Sequence, residues 1–173
     1  MKKNKIVYVA MSADIIHPGH LNVLSKAYDY GEVYVGLLSD KAIASYKRLP
    51  FMNYEYREKI ISSIKYVKKT IIQDSLSYKN NLEMIKPDFV LHGDDWKTGI
   101  QAKVRQEVIE TLKPWGGQLI EVKYTKGINS TILNKKLKDV GTTPELRLKT
   151  LKRLINAKDI VRVIESHSGL TGL

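Results

Sequence analysis

Short apolar runs rich in β-branched residues recur along the chain, and helix-spaced segments separate them. Ile6-Val7-Tyr8-Val9-Ala10, Val33-Tyr34-Val35-Gly36-Leu37-Leu38, Thr70-Ile71-Ile72, Asp88-Phe89-Val90-Leu91-His92 and Gln118 to Val122 read as strands. Pro18 to Tyr30 carries Leu21, Leu24, Ala27 and Tyr28 at three- and four-residue spacing and is closed by Gly31. Asp40 to Tyr46, Tyr54 to Val67, a short segment around Leu82, Met84 and Ile85, and Ala102 to Leu112 read as further helices. Another helix is expected from Asn129 to about Val140. Strand–helix alternation implies a parallel sheet, because parallel neighbours need a crossover and a helix supplies it. Right-handed crossovers put helices on both faces. The expected fold is α/β: a doubly wound five-stranded parallel sheet with a C-terminal helical extension. Ligands in such sheets sit beyond the carboxyl ends of the strands, where strand order reverses. The loops after strands one, four and five are therefore where chemistry is expected.

The domain is expected to span residues 1–140. Val140-Gly141-Thr142-Thr143-Pro144 is turn-rich, and a basic helix follows to about Ala157. Residues 141–173 read as a linker and the start of another unit, ending on apolar residues with no closing element. The chain has 173 residues, with 29 Lys+Arg against 18 Asp+Glu, a formal charge of +11 that suggests anionic partners. Residues 132–173 hold nine Lys/Arg and four Asp/Glu, so +5 of that excess falls in the tail. The absence of Cys removes thiolate nucleophiles and Cys-based zinc sites, and suits a reducing cytoplasm, the expected location. No run approaches the roughly 18 apolar residues of a membrane span.

Three motifs carry chemistry. Asp14-Ile15-Ile16-His17-Pro18-Gly19-His20 follows strand one directly. Pro18 suits the first helical turn, and His17 and His20, three apart, can face one point. Gly19 has no Cβ and lets a phosphate approach the backbone. Two imidazole donors at a helix N-terminus suit charge developing on phosphorus. A metal pair is the alternative, and no third ligand is evident. Tyr124-Thr125-Lys126-Gly127-Ile128-Asn129-Ser130-Thr131 follows strand five and aims amides and hydroxyls at an anion, although a plain helix cap would look the same. Gly93-Asp94-Asp95-Trp96 ends strand four; it reads either as a sugar-and-base pocket or as an acidic turn with a core Trp.

His17-Pro18-Gly19-His20 resembles the His-x-Gly-His signature of the nucleotidyltransferases related to class I aminoacyl-tRNA synthetases. The motif after strand five resembles the cytidylyltransferase Arg-Thr-x-Gly-Ile-Ser-Thr-Thr, matched by Thr125, Gly127, Ile128, Ser130 and Thr131, with Tyr124 in place of Arg and Asn129 in place of Ser. Gly93-Asp94-Asp95-Trp96 is similar to the same motif of glycerol-3-phosphate-type cytidylyltransferases. The resemblance covers residues 4–138. It implies a Rossmann-like cytidylyltransferase that transfers CMP from CTP to a small phosphate or phosphonate and releases pyrophosphate. It assigns His17, His20 and Lys47 to catalysis. Asp95 and Trp96 would face the nucleoside, and Ser12, Ala13, Asp14 and Gly19 would line the nucleotide pocket, with Ala13 replacing an aromatic residue. Arg57, Lys65 and Lys79 would meet the acceptor. Mg2+ would accompany the nucleotide with few protein ligands, and a homodimer is common in the family.

In the tail, Arg162-Val163-Ile164-Glu165-Ser166-His167-Ser168-Gly169-Leu170 resembles the opening of a phosphoenolpyruvate mutase domain. Fusion to such a domain would point the acceptor towards a phosphonate such as aminoethylphosphonate or a hydroxyalkylphosphonate. Glycerol phosphate, ethanolamine phosphate and choline phosphate are the alternative acceptors, and ATP is the alternative nucleotide. An inactive regulatory domain and a basic nucleic-acid-binding module are alternatives of other classes. The latter is disfavoured because no aromatic-plus-basic cluster offers bases a stacking surface. Neither nucleic acid nor a membrane is an expected partner.

Overall fold

A computed structural model describes residues 5–97, 101–123 and 144–162. Its strands are β1 (Ile6–Met11), β2 (Glu32–Leu38), β3 (Val67–Gln73), β4 (Phe89–Gly93) and β5 (Gln118–Val122). All pair in parallel, in the order β3-β2-β1-β4-β5. The chain starts at the centre, winds outward through β2 to β3, then crosses back to β4 and β5. Strand order therefore reverses between β1 and β4, as the doubly wound reading expects.

Side chains alternate between two apolar layers. Val7, Val9, Met11, Val33, Val35 and Leu37 face α1 (Pro18–Tyr28) and α3 (Tyr54–Ser62), which contribute Leu24, Ala27 and Ile61. Tyr8, Ala10 and Val90 point the other way. They meet Ala42 and Ile43 of α2 (Asp40–Ala44), Leu82 of α4 (Lys79–Ile85), and Val108 and Leu112 of α5 (Gln101–Leu112). The period of two along β1 thus buries both of its faces, as a central parallel strand requires.

Several boundaries differ from expectation. The helix expected to reach Val67 ends at Ser62, and the strand expected over 70–72 spans Val67–Gln73. Ile64 and Val67 still reach the core, but from the turn and the start of β3. Exposed Lys68 and Lys69 hide the strand from an apolar pattern, and β3 tolerates them because it is an edge. The helix expected to reach Tyr30 ends at Tyr28, capped by Asp29.

The tail helix, α6 (Pro144–Ala157), docks on the domain. Leu154 and Ala157 pack against Ala44 and Leu49. Leu148, Leu151 and Ile155 on its outer side are exposed. The expected 140/141 boundary and the expected helix 129–140 lie outside the described residues. Among the described residues, no helix is long and apolar enough to cross a membrane.

Candidate active site

The reversal of strand order places the carboxyl ends of β1 and β4 side by side. The segment leaving β1 turns sharply. Ala13 is fully buried with φ 50°, a left-handed conformation that costs a non-glycine residue roughly 1–2 kcal/mol. The turn delivers Asp14 inward, where several partners offset that cost. Its carboxylate accepts from the Phe51 and Met52 amides at 2.6 and 3.4 Å and pairs with Arg48 at 2.7 Å. Asp14 therefore anchors the 47–53 loop, rather than offering a free carboxylate to a nucleotide.

His17 is the N-cap of α1, and Pro18 is its first residue. The His17 Nδ1 accepts from the Gly19 amide at 3.2 Å, and the His17 amide donates to the His20 Nδ1 at 3.4 Å. This is a reciprocal capping box in which imidazoles do the work usually done by Ser and Glu. A neutral imidazole that accepts at Nδ1 carries its proton on Nε2. Both histidines are thus set as Nε2–H donors, with ring centroids 4.0 Å apart. Burial lowers the His17 pKa. Burial, then the neighbouring His17 and Lys47, pull His20 down to about 3. The Gly19 amide is thus used by His17.

Lys47 reaches the same place from the loop after α2. Its Nζ donates to the Ser12 Oγ at 3.1 Å and lies 5.1 Å from the centre of the Tyr46 ring. Burial lowers its pKa, opposed by Asp14 and reinforced by Arg48 and Arg57. His17, His20, Lys47 and Ser12 are therefore gathered at the end of β1.

Arg57 does not face an acceptor. It is fully buried, and its guanidinium donates to the Ser12, Leu38 and Met52 carbonyls and to Asp40, at 2.6 to 3.2 Å. It ties the ends of β1 and β2 to α2. Trp96 is also placed differently from the nucleoside-facing expectation. It is 1% exposed, stacked on His92 at 3.9 Å, with its Nε1 donating to Glu121 at 2.9 Å. Arg105 holds the same carboxylate through two contacts. The core-Trp reading is the one the packing supports. Asp95 lies in the short 3-10 helix after β4, Asp94–Lys97.

Lys65 precedes β3, at the amino end of the sheet, remote from the His pair, with its Nζ 5.0 Å from the Tyr66 ring centre. Lys79 begins α4, which packs on the Tyr8 face of the sheet beside α5, and its Nζ is 4.0 Å from Glu83. Thr125, Gly127, Ile128, Ser130 and Thr131 lie outside the described residues. They follow β5, whose end at Val122 pairs with Gly93 of β4. Sequence reasoning missed Asp40 and Glu121 altogether: one sits at an ordinary helix start, the other within a strand, and neither falls in a motif.

Among the described residues no three His, Cys, Asp or Glu side chains cluster, and Asp14 is committed to two amides and an arginine.

Residues 11–136 match the family model described as cytidylyltransferase-like. The chain is 32% identical over 136 residues to an ethanolamine-phosphate cytidylyltransferase of Dictyostelium discoideum, covering 76% of this chain and 36% of that one. It is 28% identical over 141 residues to the bifunctional protein HldE of Geobacter sulfurreducens, covering 79% of this chain and 28% of that protein. The chain thus spans about a third of the length of these relatives. In fold it is similar to a lipopolysaccharide core biosynthesis protein from Thermoplasma volcanium, with TM-score 0.60 and 22% identity over 73% of this chain and all of the other. The motifs, the reversal of strand order beside the His pair and the family match agree: this chain belongs to the cytidylyltransferase-like family.

Proposed function

We propose that the protein transfers CMP from CTP to a small phosphate monoester or phosphonate. The observation that carries this reading is the pair of inward-set imidazoles, His17 and His20, with Lys47 beside them at the end of β1. An anionic oxygen of the acceptor attacks the α-phosphorus in line. A P–O bond forms to the acceptor, the bond to the β-phosphate oxygen breaks, and its electron pair leaves on pyrophosphate. The acceptor oxygen is already an anion, so no general base is required. The work is positioning and charge stabilisation. His17 and His20 donate from Nε2 to the α-phosphate oxygens as charge shifts across phosphorus. Lys47 reads the β- and γ-phosphates. The segment after β5, with Thr125, Gly127, Ile128, Ser130 and Thr131, is assigned to the same phosphates by the resemblance, and Asp95 to the nucleoside. A Mg2+ would arrive with the triphosphate as part of the substrate.

Two acceptors have specific support. The tail resemblance to a phosphoenolpyruvate mutase opening favours 2-aminoethylphosphonate. The relative described as an ethanolamine-phosphate cytidylyltransferase favours ethanolamine phosphate. The two differ by one bridging oxygen: ethanolamine phosphate has it between phosphorus and the aminoethyl group, whereas in aminoethylphosphonate phosphorus is bonded directly to carbon. Pyrophosphate release is the test, with CTP or ATP against aminoethylphosphonate, hydroxyethylphosphonate, ethanolamine phosphate, glycerol phosphate and choline phosphate. Release with CTP and one of the first three is expected. Release only with ATP, or with no acceptor at all, overturns the reading.

A further inference from the structure

Among the described residues, the C-terminal helix α6 packs around α2 and the 47–53 loop, and Arg153 makes two polar contacts there. Arg153 donates from Nη1 to the Phe51 carbonyl at 2.9 Å and from Nη2 to Asp40 Oδ2 at 3.1 Å. Both acceptors belong to the frame of the candidate site. Asp40 gives its other oxygen to Arg57 at 2.7 Å, and Arg57 holds the Ser12 carbonyl at 2.6 Å. The Phe51 amide donates to Asp14, so both polar atoms of that residue's backbone are pinned, one by the strand-one turn and one by α6. Lys47, at the head of this loop, returns to Ser12. A single aspartate thus joins a buried guanidinium beneath the site to a guanidinium of the tail helix.

We propose that Arg153 is a positioning residue. Through Phe51 and Asp40 it holds the 47–53 loop, and so Lys47, where a nucleotide's phosphates would be read, which makes α6 part of the site rather than an appendage. The proposal rests on the nucleotidyl-transfer reading above. A purely stabilising helix would anchor through its apolar face. Among the described residues that face contributes Leu154 and Ala157, while Leu148, Leu151 and Ile155 stay exposed. The other ion pair at this junction, Lys41–Asp159, is exposed on both sides and contributes little.

The test compares Arg153→Met, Arg153→Lys and, as a control, Lys41→Met in the full chain. Amide exchange over residues 47–53 and steady-state kinetics with CTP are measured in parallel. Arg153→Met is expected to speed exchange of the Phe51 and Met52 amides and to raise the KM for CTP about tenfold, with a smaller change in kcat. Arg153→Lys should recover part of both effects, and Lys41→Met should move neither. Unchanged exchange in Arg153→Met overturns the proposal. So does faster exchange with an unchanged CTP KM, which would make Arg153 a stabilising residue only. A wild-type chain with no turnover on any nucleotide would instead sink the functional reading, and with it the claim on Lys47; the exchange arm would then decide whether Arg153 holds the loop.

Discussion

The rings of His17 and His20 face each other 4.0 Å apart, and each turns its Nδ1 onto the backbone of the same helix start. Capping and the proposed catalytic role are thereby joined. The hydrogen bonds that begin α1 also choose the tautomer, and the chosen tautomer presents Nε2–H to the end of β1.

Replacing either histidine by Ala should therefore lower turnover on the order of 100-fold or more, as removal of a donor to developing charge does. The loss of a cap should cost only about 1 kcal/mol of stability, so the variants stay folded. Pyrophosphate release at saturating CTP, with circular dichroism as the folding control, checks this. Near-normal rates in both variants would exclude the mechanism.

The depressed His20 pKa gives stability a defined pH dependence. In the folded chain the group titrates at about 3, against 6.5 as the ordinary value. Between these values the unfolded chain binds more protons, so stability rises with pH across the window. The contribution is complete above about pH 6.5 and is lost as pH falls towards 3. His17, lowered by burial, acts in the same direction. Urea unfolding midpoints from pH 8 to pH 4 should fall less steeply in His20→Asn than in the wild type. Equal slopes would show that His20 is not the group responsible.

Trp96 offers a sharp contrast between packing and ligand contact. Trp96→Phe keeps an aromatic ring against His92 but removes the Nε1–H that serves Glu121. Arg105 still holds that carboxylate, so the loss should be about 1 kcal/mol in unfolding free energy. The KM for CTP should not move. A severalfold rise in that KM would return Trp96 to the nucleotide pocket.

What could be read from the chain was local. The strands announced themselves because a central parallel strand must be apolar on both faces, as Val7 to Met11 are. The His pair announced itself because three-residue spacing at a helix start forces two side chains together. The edge strand β3 did not, because an edge can carry Lys68 and Lys69 without burying them.

The partners of Arg57, Trp96 and Arg153 were not legible. Each is a polar group at an unremarkable position whose role depends on residues 17 to 113 positions away: Asp40 for Arg57, Glu121 for Trp96, Phe51 and Asp40 for Arg153. Sequence by itself determined the alternation, the sheet and the motif at the end of β1, because these follow from periodicity and nearest-neighbour geometry. Only the tertiary structure showed which cations are committed to the frame, as Arg57 is. A buried charge must find partners wherever strand order places them, and strand order brings together segments that spacing along the chain does not.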